Sequence, residues 1–327
     1  MKSGFYKLIL LSIILISFSF AQNAAKIPLP KIGVWVVSNY QYIDNDNLTP
    51  NNTFNLKHAR FIVKGKLLKN IDYHAMVDLH DNAVKGAKFM QAWVGYTVTK
   101  ALKFRVGQFK YPFGIEAYPS LMKWKFTNPS FITGSIVKKL GSSGNAFRDV
   151  GAQVFGAHKF SKSVSLEYKV MIMNGAGANK AENNNDKDIV VYAGLKLPKK
   201  IHLGASLYSG KGGPNGELSE TAFGLQAKFN TKKLALQAEY ITANFDKTTT
   251  TEVKPNGFYA YASYKILPKV ELGLRIDRYK ADTDANEMKR LTFATGYYFN
   301  PINRIMVNYE VKENMDNVFT LQFYLGI

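Results

Sequence analysis

The chain has 327 residues, with 43 Lys and Arg against 24 Asp and Glu, a formal charge of +19, and no cysteine. A chain that forms no disulfide must rely on a large buried core or a closed sheet, and with no run of 18 apolar residues after position 21 it is not a helical membrane protein. The basic residues are spread evenly and form neither a clustered patch nor a known module, which excludes a nucleic-acid surface and leaves small anions or anionic lipid headgroups as partners of the positive field.

Residues 1–21 read as a secretory signal peptide. Lys2 and Lys7 precede the apolar run 8–20, and Ser19 and Ala21 supply small residues at a cleavage site. A run of about 13 residues is too short to cross roughly 30 Å of hydrocarbon as a helix. The remainder, 22–327, reads as one domain. Period-two alternation bounded by turn residues marks strands at 32–43, 54–67, 71–81, 88–98, 102–110, 148–158, 164–173, 188–197, 201–208, 220–229, 234–243, 256–265, 269–278, 289–299, 304–311 and 316–327. That makes sixteen, with no helical stretch of comparable clarity.

Connections alternate in length. Tight turns such as "LLKNI", "VTKAL", "LPKKI" and "ILPKV" follow the even-numbered strands, and longer polar loops, 111–147 the longest, follow the odd-numbered ones. Short turns at one end and long loops at the other, with an even strand count, are the pattern of a bacterial transmembrane barrel. Each strand has one apolar face. In "KVELGLRID" Val270, Leu272, Leu274 and Ile276 oppose Glu271, Arg275 and Asp277. Alternation alone also suits a soluble barrel with an apolar interior. Three observations favour the membrane: aromatic residues near strand ends on the apolar face (Tyr40, Tyr96, Tyr264, Tyr297, Phe299), strands of about 10 residues, and too many ionisable groups on the other face for a dry core. The expected fold is therefore all-β, a sixteen-stranded antiparallel transmembrane β-barrel wide enough for an aqueous lumen. Loop 111–147 is rich in aromatic and apolar residues, "YPSLMKWKFTNPSFITGS", so it is expected to fold into that lumen and narrow it.

The segment "LKFRVGQFKYPFGIE" resembles the Gly-Gln-Phe-Lys-x-Pro-Phe segment of the phosphate-selective porin O and P family, and "ARFIVKGKLLKNIDY", "FMQAWVGY", "RDVGAQVFG", "NGAGAN" and "PNGFYAYASYKI" follow the same pattern in order. The resemblance covers most of 22–327. It implies a trimeric sixteen-stranded porin of the bacterial outer membrane, in contact with outer-membrane lipid and passing small anionic solutes, phosphate among them. The chain departs from the usual aromatic end of such barrels by finishing in Ile327, behind Phe323 and Tyr324.

Rings or ladders of Lys and Arg select anions by replacing lost hydration and raising a barrier to cations. The candidates are Arg60, Lys64, Lys66 and Arg105 on strands, Lys110 and Arg148 at the hinges of the long loop, and Lys123, Lys125, Lys138 and Lys139 within it. No catalytic residue, cofactor or metal site is expected. His74, Asp78 and His80 share a strand face but span too far for one tetrahedral ion, and "NNNDKD" lacks the Gly and Glu spacing of an EF-hand. Two other readings remain: a receptor or adhesin whose loops bind a partner, and a lipid-modifying barrel enzyme, which would need a Ser-His pair on the lipid face.

Overall fold

A computed structural model describes residues 28–80, 86–142, 147–213, 216–248 and 250–327; the expected signal, 1–21, lies outside them. The strands are β1 (Lys31–Ile43), β2 (Asn52–Leu68), β3 (Ile71–Asp78), β4 (Lys88–Thr97), β5 (Lys103–Lys110), β6 (Arg148–Lys159), β7 (Ser165–Met173) and β8 (Asp188–Lys196). They continue as β9 (Ile201–Gly212), β10 (Leu218–Asn230), β11 (Leu234–Asp246), β12 (Glu252–Val253), β13 (Asn256–Leu267), β14 (Val270–Lys280), β15 (Met288–Tyr298), β16 (Arg304–Lys312) and β17 (Val318–Gly326). Every neighbouring pair is antiparallel. The sheet closes on itself because β1 pairs with β2 on one side and with β17 on the other, from Trp35 opposite Gly326 to Ile43 opposite Val318. Sixteen strands make the wall. The seventeenth, β12, is a two-residue extra that meets only the end of β11, which itself pairs directly with β13.

The expected strands match these closely, with β9 and β10 running further, to Gly212 and from Leu218, so that the loop between them shortens. Closure satisfies the ladder groups that an open edge would expose, which hydrocarbon does not tolerate. The terminal residue takes part, since Ile327 donates its amide to the Val34 carbonyl at 3.1 Å.

Side chains alternate across the wall as the pleat requires. Val94, Val106, Leu225, Leu274, Ile276 and Phe293 point outward and are exposed, while Gln237, Glu239, Arg275, Asp277 and Arg290 point inward and are buried. An apolar belt around a whole barrel far exceeds the few hundred Å² that soluble surfaces leave bare, so lipid is its solvent. Among the described residues no helix is long and apolar enough to cross a membrane, and the crossing is made by strands.

One irregularity changes what faces inward. Between β1 and β2 the register shifts at Val37/Ser38, where Val37 opposes His58 and Ser38 opposes Leu56, leaving Lys57 as the extra residue of a bulge. A bulge re-aims a side chain. Strict alternation would put Lys57 on the lipid side, yet its ammonium lies 3.2 Å from the side chain of Gln322, an inward residue of β17.

The outward assignment of Leu274 has a measurable consequence. Leu274→Lys places a charge near mid-bilayer and should destabilise the folded barrel by about 2–4 kcal/mol in urea titrations from lipid vesicles. A cost near zero would contradict a lipid-facing β14.

Candidate functional site

The long loop, 111–147, starts where Lys110 and Arg148 face each other at the ends of β5 and β6, and a hydrogen bond from the Tyr111 amide to the Phe147 carbonyl (3.1 Å) closes its neck. Beyond the neck it meets inward side chains of strands around most of the ring. The amide of Ile115 donates to Glu239 on β11 (2.8 Å), that of Phe131 to Asp277 on β14 (3.1 Å), and that of Gly141 to Glu220 on β10 (3.0 Å). On the other side, Lys57 of β2 donates to the Thr127 carbonyl (3.3 Å) and to the Asn128 side chain (3.2 Å). A segment bonded to the inner faces of β2, β10, β11 and β14 of one closed barrel runs through its interior.

Two kinds of contact hold it there. The first is apolar. Tyr111, Phe113, Ala117, Ile132, Ile136, Val137 and Leu140 of the loop pack on Met171, Met173, Val190, Tyr208, Ile241, Ala243, Phe245 and Tyr259 of the wall. These wall residues point inward, so the inner face of β7 to β13 is locally apolar where the loop covers it. Each such side chain buried contributes about 1.5–3 kcal/mol. Close approach is needed too: a Cβ on Gly257 would come 2.8 Å from Ile132 Cγ2. At Gly141 the backbone takes φ +66°, a region glycine enters without steric cost, and this presents its amide to Glu220.

The second is ionic. Arg275 is fully buried, and its guanidinium donates to Asp277 (2.9 Å), to the carbonyls of Asn128 (3.0 Å) and Pro129 (3.3 Å) and, at 3.4 Å, to Glu116. Arg290 shares Asp277 (3.1 Å), bonds Glu310 (3.1 Å) and donates to the same Pro129 carbonyl (2.7 Å). The two guanidinium planes also lie 4.6 Å from the Phe126 ring and 4.3 Å from the Phe131 ring. Arg304 reaches the carbonyls of Met122 and Trp124. A buried charge persists only when paired and hydrogen-bonded. Here β14, β15 and β16 supply alternating charges, and the loop supplies the remaining acceptors.

The sequence-derived candidates divide accordingly. Lys125 is ion-paired with Glu271 at 2.7 Å, so it anchors the loop. Arg60 is buried with its Nε on Asp78 (2.8 Å), which also lies 2.9 Å from His58. Lys110 is turned into the loop and donates to the carbonyls of Ala117 and Pro119. Arg105 stacks 4.2 Å over Trp93 and 4.9 Å over Phe155. Lys66 bonds the Lys69 carbonyl at the opposite end of the barrel (2.9 Å), and Lys64 is exposed on β2. Lys123, Lys138 and Lys139 are exposed on the loop.

Six basic side chains converge on one cavity beside the loop, of about 290 Å³: Lys57, His58, Arg60, Lys110, Lys138 and Arg148, and no carboxylate lines it. Asp78, bonded to Arg60 and His58, is the carboxylate nearest in the network. A second cavity, about 340 Å³, lies between the loop's first turn and β7 to β10, where Glu167 stands against Lys169, Lys228 and His202. Both cavities are net basic, and only the first is lined without a carboxylate. Of the basic set, the sequence reading missed Lys57 and His58; the only signal for Lys57 was its place beside a bulge. Among the described residues no three His, Asp or Glu side chains converge as metal ligands.

Solved structures share this architecture. The anion-selective porin from Comamonas acidovorans matches with a TM-score of 0.72 at 12% identity, covering 91% of this chain and 99% of that one. The trimer form of OmpT of Vibrio cholerae matches at 0.66 and 12% identity, covering 91% and 99%. The outer membrane channel DcaP of Acinetobacter baumannii matches at 0.64 and 12%, covering 91% and 97%. At such identities the likeness is one of fold. No protein of curated function matches the sequence.

The loop's ionic hold can be tested directly. Replacing Arg275 and Arg290 together by Met removes both clamps on the Pro129 carbonyl and leaves Asp277 buried without its cationic partners, a loss on the order of 3–5 kcal/mol for the loop's docking. Trypsin should then cleave after Lys123 or Lys125 in the folded barrel, where the parent resists; equal resistance would contradict the clamp.

The model of the phosphate-selective porin O and P family matches residues 31–318, nearly the whole barrel, and the chain belongs to that family as a diffusion channel of the bacterial outer membrane.

Proposed function

We propose that the channel prefers anions and that its selectivity is set where loop 111–147 meets the wall of β1, β2, β5 and β6. The observation that carries this reading is the cavity lined by five Lys and Arg side chains and His58 with no carboxylate among them. Like charges held around water repel one another, and an anion relieves that repulsion while a cation adds to it. Arginine forks present paired donors to phosphate or carboxylate oxygens, and lysines act as point charges. Lys123, Lys138 and Lys139 extend the positive field along the exposed loop surface. Phosphate is one solute such a field would favour, consistent with the family's name and with the anion selectivity of the Comamonas porin.

The ionic walls of β14 to β16 play a different part in this reading. Arg275 and Arg290 are neutralised by Asp277, Glu310 and Glu116, and Arg304 is taken up by the Met122 and Trp124 carbonyls, so these arginines fix the loop. The channel has no catalytic role here. The histidine on the lipid face, His158, packs edge-on against Phe160 at 4.9 Å, an aromatic contact near a strand end. Three copies would assemble, as in the trimer form of the Vibrio protein, and residues 1–21 would direct export.

In a planar bilayer with a KCl gradient the protein should give discrete steps and a zero-current potential of the sign for chloride over potassium. Lys138→Glu with Lys139→Glu should move that potential toward zero, and deletion of 120–140 should enlarge each step. A cation-selective potential in the parent would overturn the reading. Unheated samples should migrate at three times the monomer mass on a gel; a single-copy band would remove the trimer alone.

A further inference from the structure

The basic cavity has a second wall, and that wall says which anions fit. Beside the cations the lining holds Val37, Leu121, Trp124, Pro129, Phe147 and Tyr324, with Val37 the register partner of His58 and the Phe147 ring 5.5 Å from the Lys110 ammonium. Val37 and Tyr324 are register partners on β1 and β17, and with Met122 and Met306 they form a small apolar cluster of their own, bordered by Trp35 and Leu121. Loop residues Leu121 and Met122 pack on Val37 and Tyr324, which are buried, much as the loop packs on β7 to β13. Here, however, the apolar groups also line a cavity that they share with basic side chains.

We propose that this cavity binds organic anions with an aromatic body, taking the acid group on Arg60, Lys57, Lys138 and Arg148 and the ring against Trp124 and Leu121, in preference to bare inorganic anions. The inference rests on the anion-channel reading above and narrows its solute class. Size agrees: about 290 Å³ is near the lower limit of small-molecule sites, roughly 300 Å³, and would hold about ten waters at roughly 30 Å³ each. An inorganic anion solvated on every side would leave the apolar wall wet. An aryl anion covers both walls and adds ring stacking to the ion pairs.

Both walls are held in place before any solute arrives. Arg60 is fixed by Asp78, Lys57 by the Thr127 carbonyl and Gln322, and Trp124 by its indole N–H on the Glu116 carbonyl at 2.9 Å. Tyr324 lies under the Arg304 guanidinium at 4.0 Å. Preorganised groups lose little freedom on binding, so the discrimination should appear in equilibrium block of the current as well as in rates.

The test compares potassium phosphate with phenyl phosphate as blockers of the full-length channel in a planar bilayer at one pH, reading the concentration that halves the current. Phenyl phosphate should block at about tenfold lower concentration. Trp124→Ala should bring the two blocking concentrations together, and Leu121→Gln, which wets the same wall without removing the indole, should narrow the gap. Equal block by the two anions in the parent, or an advantage for phenyl phosphate that survives both substitutions, would overturn the proposal while leaving the channel anion-selective. A cation-selective zero-current potential in KCl alone would instead overturn the reading on which it rests.

Discussion

A fully buried arginine inside a porin wall is the constraint on which the remaining architecture depends. Arg275 contacts its β14 neighbour Asp277 together with Glu116 and two carbonyls of the loop, and it gains those loop partners only when 111–147 lies across the lumen. Arg290 bridges Asp277 to Glu310 and grips Pro129 again. The loop's carbonyls in turn need donors, since a backbone group buried in the lumen costs about as much as a lost hydrogen bond. Neither half is satisfied alone. The wall and the loop therefore specify each other, and the barrel carries a fixed obstruction in place of a free lid.

This division of labour decides which charges are left for solutes. Along β14 to β16, Asp277 and Glu310 together with Glu116 of the loop pair with Arg275 and Arg290. On the other side of the loop basic residues outnumber their acidic partners around a shared cavity. A net positive chain could have distributed its excess anywhere. The loop's path, set by the arginine clamp and by the apolar seat on β7 to β13, places part of that excess around the cavity beside it.

The strands were legible because two independent signals agree in them: polarity with period two, and turn residues at regular intervals. The long loop stood out by length, and its aromatic content already argued for packing. What alternation could not convey was pairing across distance. Lys125 and Glu271 are far apart in sequence, and nothing local marks Lys125 as an anchor where Lys123, two residues before it, stays exposed. Met171, Met173, Ile241, Ala243 and Phe245 break the rule of a polar inner face because they are covered by the loop, a tertiary fact. Lys57 was hidden for a third reason, since a single bulge reverses the face that strict alternation assigns.

The absence of cysteine from the native chain makes its central claim, that the loop's lysines border the conducting path, open to a direct measurement. Single-channel current is recorded from Lys139→Cys before and after a negatively charged thiosulfonate reagent is added. If the loop lines the path, modification lowers the current and shifts the zero-current potential toward cations. Current and potential that stay constant, with labelling of the thiol confirmed by mass, would contradict the account.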